Sequence, residues 1–104
     1  MKEISVSELK EWQTSGKSFQ LIDVREPFEA QVATLDGELI PLGSIEHQTD
    51  KITRNIPVVI HCRSGKRSAN AIAKLEALGF DNLHNLKGGI LAWSDEIDAT
   101  IPKY

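Results

Sequence analysis

The sequence predicts an α/β fold in three layers, with a mostly parallel central sheet of about five short strands and helices on both faces. Consecutive β-branched residues at 58–60 are typical of a strand buried on both faces. One stripe of residues recurs at steps of three or four, which indicates an amphipathic helix that ends at Gly79: Ser68, Ala71, Ile72, Leu75 and Leu78. Strand and helix patterns alternate along the chain, as in parallel sheets.

The bulk composition is that of a globular protein. The chain has 104 residues, of which 40% are hydrophobic and 26% are charged. That length accommodates one hydrophobic core without disulfides or a structural metal. We therefore expect a single domain over residues 1–104.

Charge, hydrophobicity and cysteine content restrict the partners and the cellular location that we expect. The net charge is −3, with 12 Lys and Arg against 15 Asp and Glu, which argues against nucleic acid as a partner. No apolar run approaches the roughly 20 residues that span a bilayer, so no membrane association is expected. A single cysteine is atypical of a secreted disulfide scaffold. We expect a cytoplasmic monomer.

The first half of the chain alternates between helix and strand signals. A short strand around Ile4 is followed by a capping box, Ser5 with Glu8, and by a helix that stops at Gly16. Residues 19–24 have strand composition. Asp23 and Arg25 should emerge at the carboxyl end of this strand, where ligands bind in open α/β sheets. We expect both to pair locally and to support the neighbouring loop.

The remaining segments complete the pattern. Pro27 begins a short helix to Val32, residues 38–41 form a third strand, and residues 44–52 are predicted to be helical. The last strand lies within residues 81–86. The final helix follows a Gly-Gly pair and carries Trp93, which we expect to be a core anchor.

The central strand ends at the only cysteine and a basic turn. Backbone N–H groups at a helix start form a cradle for anions. Three positive charges lie within five residues of Cys62, and we expect them to favour the thiolate, which is the nucleophilic form. The residues expected to bind substrate are Arg63, Ser64, Gly65, Lys66 and Arg67.

The cysteine and the residues around it each need separate interpretation. A lone cysteine after a buried strand is usually an inert small hydrophobe, but an inert thiol does not call for surrounding cations. Adjacent strand residues face opposite ways, so His61 should not share a pocket with Cys62. Ser68 is expected to support the loop by capping the following helix, and Arg67 to brace it through carbonyls or an acid.

Three stretches resemble the rhodanese family of sulfurtransferases. The sequence CRSGKRS at 62–68 resembles the active-site loop of single-domain members. LIDVREPFE at 21–29 and LKGGILAW at 86–93 are similar to the family's N-terminal and C-terminal signatures, and all three occur in the family's order.

The resemblance implies transfer of a sulfane sulfur through a Cys62 persulfide. The donor would be a small sulfur-containing anion such as thiosulfate, the acceptor a thiol, cyanide or a protein, and no cofactor or metal is implied. Two alternatives stay open. Cysteine phosphatases and arsenate reductases use a C-x5-R loop, but only four residues separate Cys62 from Arg67. The chain could also be a sulfur-carrier or redox module that serves one partner protein.

Overall fold

The computed structural model describes all residues from 1 to 104. Strands and helices alternate along the chain, and two 3₁₀ turns at Leu42–His47 and Thr49–Lys51 lie between the third and fourth strands. The strands are β1 (Glu3–Ile4), β2 (Gln20–Asp23), β3 (Glu38–Leu39), β4 (Val58–His61) and β5 (Leu83–Leu86). The helices are α1 (Val6–Ser15), α2 (Pro27–Val32), α3 (Lys66–Ala77) and α4 (Gly89–Glu96).

The five strands form one sheet in the order β1-β5-β4-β2-β3. Every pairing is parallel, so the predicted fold class is confirmed. Central strand β4 pairs with β2 on one side, where Asp23 lies opposite His61, and with β5 on the other, where Ile60 lies opposite Asn85. The carboxyl ends of these three strands therefore meet at one edge of the sheet.

Helices cover both faces of the sheet, with a separate hydrophobic core on each. Val58 and Ile60 join the larger core, to which α3 contributes Ala71, Ile72 and Leu75. Val59, whose side chain points the other way, joins the second core, which includes Leu9 of α1 and Trp93 of α4. Strand β4 is thus buried on both faces, as its β-branched run predicts.

The local stop and start signals behave as predicted in three places. Ser5 and Glu8 form the capping box of α1, and Gly16 ends that helix with φ at 74°. Gly79, just beyond α3, has φ at 94°, a conformation that favours glycine. Separately from these signals, the predicted core anchor Trp93 is buried.

Two details of the helix predictions are wrong. Residues 44–52 do not form an α-helix; the segment folds as the two 3₁₀ turns, and only Ile45 and Ile52 of it are buried. Two anchors do not supply the continuous stripe that an α-helix needs for packing. Leu78 lies past the end of α3 and is exposed, so the stripe ends at Leu75.

None of the helices has the length and apolar character needed to cross a membrane.

Candidate active site

The basic turn lies where the sheet's central strand ends. Cys62 directly follows β4, and Gly65 occupies the N-cap position of α3 with φ at 110°. This positive φ lets the chain reverse over three residues and enter the helix at Lys66. The reversal turns successive backbone N–H groups of the loop towards the cysteine.

The sulfur of Cys62 lies inside this turn. The Gly65 amide donates to Sγ at 3.1 Å and the Ser68 amide at 3.4 Å. The Ser68 hydroxyl oxygen lies 3.4 Å from the same sulfur. The thiol side chain is nevertheless packed closely, because only 1% of Cys62 is exposed.

Opposing effects act on the pKa of Cys62. Burial raises the pKa of the thiol. Hydrogen bonds from the Ser68 hydroxyl and from the amides of Ser68, Gly65 and Ser64 lower the pKa, and together they outweigh burial, so the net shift is downward. None of these main contributions comes from a cation. Short-range donors at the sulfur are therefore the main cause of the downward shift, and the cations play a smaller part, in which Arg67 interacts electrostatically with Cys62.

Ser68 has a different place from the predicted one. It is the third residue of α3, and its hydroxyl does not cap the helix; it faces the sulfur and donates to Asn85 Oδ1 at 2.5 Å. The N-cap position belongs to Gly65, which has no side chain to donate or accept. Ser68 therefore supports the loop through the thiol itself.

The N-terminus of α4 holds the loop from behind. The Ile90 amide donates to the Cys62 carbonyl at 3.0 Å, and the Leu91 amide donates to the Arg63 carbonyl at 3.2 Å. A Cβ at Gly89 would lie 2.6 Å from the Cys62 carbonyl oxygen, so only glycine permits this approach. The Gly-Gly pair thus fixes the path of the loop.

Arg67 braces the loop against α2. Its guanidinium makes a two-pronged pair with the Glu29 carboxylate at 2.6 and 2.8 Å. The hydrogen bond from Arg67 lowers the pKa of Glu29 to about 2, and the pairing raises the pKa of Arg67. Arg67 was expected to brace the loop through carbonyls or an acid, and Glu29 is that acid.

Asp23 and Arg25 form a buried pair beside the loop. Arg25 Nη2 contacts the Asp23 carboxylate at 2.7 Å and also donates to the Ala33 carbonyl at 2.6 Å. The imidazole Nε2 of His61 lies 4.0 Å from the same carboxylate, and burial is the main cause that lowers the pKa of His61. The His61 ring makes no hydrogen bond with the sulfur of Cys62.

The other predicted site residues lie on the outside of the turn. Arg63, Ser64 and Lys66 are exposed, and neither Arg63 nor Lys66 forms an ion pair. A cavity of about 400 Å³ opens beside the loop, and its wall includes Arg67 but not Cys62. The lining residues are Val24, Glu26, Leu42, Gly43, Arg67 and Lys74.

Sequence reasoning missed Asn85. This residue of β5 is 5% exposed, accepts from the Ser68 hydroxyl, and donates to the Gly65 carbonyl at 3.1 Å. The sequence feature that could have indicated Asn85 is a polar side chain within the predicted last strand, near the sheet edge where Cys62 emerges. A buried amide needs partners, and here they are the cysteine loop itself.

Chemically, the site can hold a sulfur anion. A thiolate is a hydrogen-bond acceptor only, and the groups around Sγ include at least two backbone donors. No group of three or more His, Cys, Asp or Glu side chains is arranged to bind a metal ion anywhere in the structure. The fold and the site together define an α/β protein with a cysteine-centred anion loop.

Comparison with known proteins identifies the family. A rhodanese-like domain model matches residues 5–96, and the chain belongs to that family. A sulfurtransferase of Allochromatium vinosum is 36% identical over 90% of this chain and 89% of its own length. The crystal structure of a rhodanese-like domain protein from Staphylococcus aureus superimposes with a TM-score of 0.85, at 33% identity, over 100% of this chain and 99% of that one.

Some relatives are much longer. A probable adenylyltransferase/sulfurtransferase, MoeZ of Mycobacterium tuberculosis, is 36% identical over 97% of this chain, which spans only 26% of that protein. The chain thus matches about a quarter of such a relative.

Proposed function

We propose that this protein is a sulfurtransferase that carries a sulfane sulfur on Cys62. The observation that carries the proposal is the set of groups that converge on one sulfur, namely the donating amides of Gly65 and Ser68 and the Ser68 hydroxyl oxygen at 3.4 Å. The lowered pKa of the Cys62 thiol supports it, because the thiolate is the attacking species.

The proposed first step loads the cysteine. The Cys62 thiolate attacks the outer sulfur of thiosulfate, a new S–S bond forms, and the bond to the sulfonate sulfur breaks with release of sulfite. The exposed cations Arg63 and Lys66 at the mouth of the turn attract the dianion. No proton has to be removed during attack once the thiolate exists, so the step requires no histidine base.

The second step removes the transferred sulfur from Cys62. An acceptor nucleophile, such as cyanide, a small thiol or a protein thiol, attacks the terminal sulfur of the persulfide, and the Cys62 thiolate leaves. The same amide donors that stabilise the thiolate before loading stabilise it as the leaving group. Cys62 is the proposed catalytic residue and residues 63–67 are proposed to bind substrate, while Ser68, Asp23 and Arg25 support the loop.

A steady-state assay tests this function. Wild-type protein should convert thiosulfate and cyanide to thiocyanate and sulfite, and Cys62→Ser should abolish turnover because a serine hydroxyl is not ionised at neutral pH. Normal turnover by Cys62→Ser would overturn the proposal. Turnover of an aryl phosphate that depends on Cys62 would instead support the phosphatase alternative.

A sulfur-carrier role is the second candidate, and the burial of Cys62 favours it. Only 1% of the residue is exposed, so small molecules have little access to the sulfur, and in this role a partner protein opens the loop. The carrier role predicts that Cys62 accepts sulfur from a persulfidated protein while thiosulfate turnover by the isolated chain stays at background. Rapid thiosulfate turnover would exclude this second candidate.

A further inference from the structure

Asn85 closes a ring of hydrogen bonds around the sulfur of Cys62. Its Nδ2 donates to the Gly65 carbonyl at 3.1 Å, and its Oδ1 accepts from the Ser68 hydroxyl at 2.5 Å. Gly65 and Ser68 are two of the residues whose amides donate to the sulfur. One buried side chain on a neighbouring strand thus holds two of the residues that contact the thiol.

The chemistry of the ring fixes the orientation of the Asn85 amide. A carbonyl oxygen can only accept, so the Asn85 atom facing Gly65 must be the amino group, and Oδ1 must face Ser68. At 2.5 Å, the two oxygens of Ser68 and Asn85 need a proton between them. The single hydroxyl proton of Ser68 is therefore committed to Asn85.

This commitment determines what Ser68 can do for the sulfur. While Cys62 is a thiol, its S–H donates to the Ser68 oxygen, 3.4 Å away, and the Ser68 hydroxyl donates a hydrogen bond to Asn85 Oδ1. When the thiol proton leaves to solvent, the thiolate can only accept. The Ser68 hydroxyl then has to turn towards the sulfur and give up Asn85, so the thiolate and Asn85 Oδ1 compete for one proton.

We propose that Asn85 is a positioning residue that controls whether the Ser68 hydroxyl donates to the Cys62 sulfur, while its amino group keeps the Gly65 peptide in place. Asn85 acts through Ser68 and Gly65 and does not contact the sulfur. Its oxygen opposes thiolate formation, and its amino group favours it by fixing the carbonyl of Gly65, the residue whose N–H donates to the sulfur. The two effects can be separated, because only the first requires the Ser68 hydroxyl.

The charged groups around the loop remain constant in the test. They are Arg63 and Lys66 on the turn, Arg67 with its partner Glu29 from α2, and the buried group formed by Asp23, Arg25 and His61 from β2 and β4. Leucine is close to asparagine in size and uncharged. A change in the pKa of Cys62 on Asn85→Leu therefore reports the ring and not a new charge.

A double-mutant cycle tests the proposal. The pKa of Cys62, the only cysteine, is measured from the ultraviolet absorbance of its thiolate in wild type, Asn85→Leu, Ser68→Ala and the double variant. We expect the shift caused by Asn85→Leu to be more acidic in the presence of Ser68 than in the Ser68→Ala background. The expected difference is about half a pH unit, or about threefold in the thiolate-to-thiol ratio. Equal shifts in both backgrounds would overturn the proposal.

Asn85→Asp keeps the inference testable if Asn85→Leu does not fold. An aspartate loses the donor to Gly65 and adds a negative charge, and both changes raise the pKa of Cys62 with or without Ser68. Its carboxylate is also a stronger acceptor for the Ser68 hydroxyl than the amide oxygen, so the rise should be larger with Ser68 present than in the Ser68→Ala background. A rise of the same size in both backgrounds would contradict the relay.

Asn82→Leu is the matched control. Asn82 also donates to two backbone carbonyls, those of Thr53 and Ile56 at 2.9 and 2.7 Å, but it lies away from the cysteine loop. Its loss should lower stability without moving the pKa of Cys62, and an equal pKa shift would indicate general loosening. The inference extends the proposed function, yet the titration needs no sulfur donor, so absence of thiosulfate turnover would count against the function alone.

Discussion

At the scale of single residues, the reactivity of Cys62 depends on a balance between burial and hydrogen bonding. Burial of a thiol opposes ionisation, and hydrogen bonds from three amides and one hydroxyl outweigh this effect, so the pKa of Cys62 is lowered. The hydroxyl is the largest of the contributions that lower the pKa. The exposed cations of the turn are therefore better suited to attract a donor than to ionise the sulfur.

Replacement of Ser68 should make the thiol less acidic. Ser68→Ala removes the hydroxyl donor, and we expect the pKa of Cys62 to rise by about one unit and sulfur loading below that pKa to slow about tenfold. Loading should be measured against pH. The rate should increase with pH through the pKa and then level off, because only the thiolate attacks.

Ser94→Ala is the control for this change. Ser94 is also buried and donates its hydroxyl to a backbone carbonyl, that of Ile101, at 2.7 Å. The Ser94→Ala variant should be less stable, but its sulfur-loading rate should keep the pH profile of the wild type. If Ser68→Ala kept that profile too, the hydroxyl would have no part in activating the sulfur.

At the scale of secondary-structure elements, α2 and α4 hold the cysteine loop from two sides. The Arg67–Glu29 pair links α3 to α2, and the backbone of α4 approaches the loop at Gly89. Neither helix contributes a donor to the sulfur. Both fix the backbone that does.

Arg67→Lys should weaken the link between α3 and α2. Lysine keeps the charge but cannot form the two-pronged pair, so we expect a loss of roughly 1 kcal/mol in the free energy of unfolding and slower sulfur loading. Chemical denaturation and the loading rate measure the two effects. Arg54→Lys is the control, because Arg54 bonds the Leu78 carbonyl and lies over the Phe80 ring at 3.7 Å but contacts neither α2 nor the cysteine loop. Sulfur loading slowed as much in Arg54→Lys as in Arg67→Lys would contradict the bracing role.

Gly89→Ala should disturb the loop directly. The new Cβ would lie 2.5 Å from the Arg63 carbonyl oxygen, and the backbone at Gly89 has φ at 58°. We expect a loss of roughly 2 kcal/mol or more in stability and a large loss of sulfur loading, measured by thermal unfolding and turnover. Gly43→Ala is the control, because a Cβ there would meet nothing within 4 Å. Wild-type loading by Gly89→Ala would show that the close approach is dispensable.

The elements themselves were largely predictable, and the contacts between them were not. The β-branched run at 58–60, the capping box at Ser5 and the glycine at 79 are local signals, and each predicts its own segment. The ring that joins Ser68 to Asn85 connects residues 17 positions apart on different elements. No periodicity indicates such a contact, so Ser68 was expected to cap a helix and Asn85 was not considered.

At the scale of the whole molecule, the order of the strands creates the site. Because β4 lies between β2 and β5, the buried Asp23–Arg25 pair, the cysteine turn and Asn85 reach the same edge of the sheet from three strands. The alternation of strands and helices predicted a parallel sheet with ligand binding at this edge. The strand order that brings Asn85 to the cysteine is a property of the folded chain, which the alternation alone does not specify.

Stability at low pH should depend on Glu29. Its pKa falls from 4.5 to about 2 in the folded protein, chiefly through the hydrogen bond from Arg67. A depressed carboxyl pKa adds stability that is complete above pH 4.5 and is lost as the pH falls towards 2. Denaturation across this range should show a loss of stability in the wild type that is smaller in Glu29→Gln.

Glu46→Gln is the comparison for this prediction. Glu46 pairs with Lys74 at 3.4 Å with both side chains more than a third exposed, so the pair contributes little. Its removal should leave the acid dependence of stability as in the wild type. If Glu29→Gln also retained the full acid dependence, the pair with Arg67 would not be the source of that stability.

Intact-mass spectrometry after incubation with thiosulfate tests the central claim most directly. The account predicts that the wild-type chain gains the mass of one sulfur atom, that a thiol reductant or cyanide removes it, and that Cys62→Ser gains nothing. A wild-type chain that stays at its original mass with thiosulfate and with a persulfide donor, or a Cys62→Ser variant that gains the same mass, would contradict it.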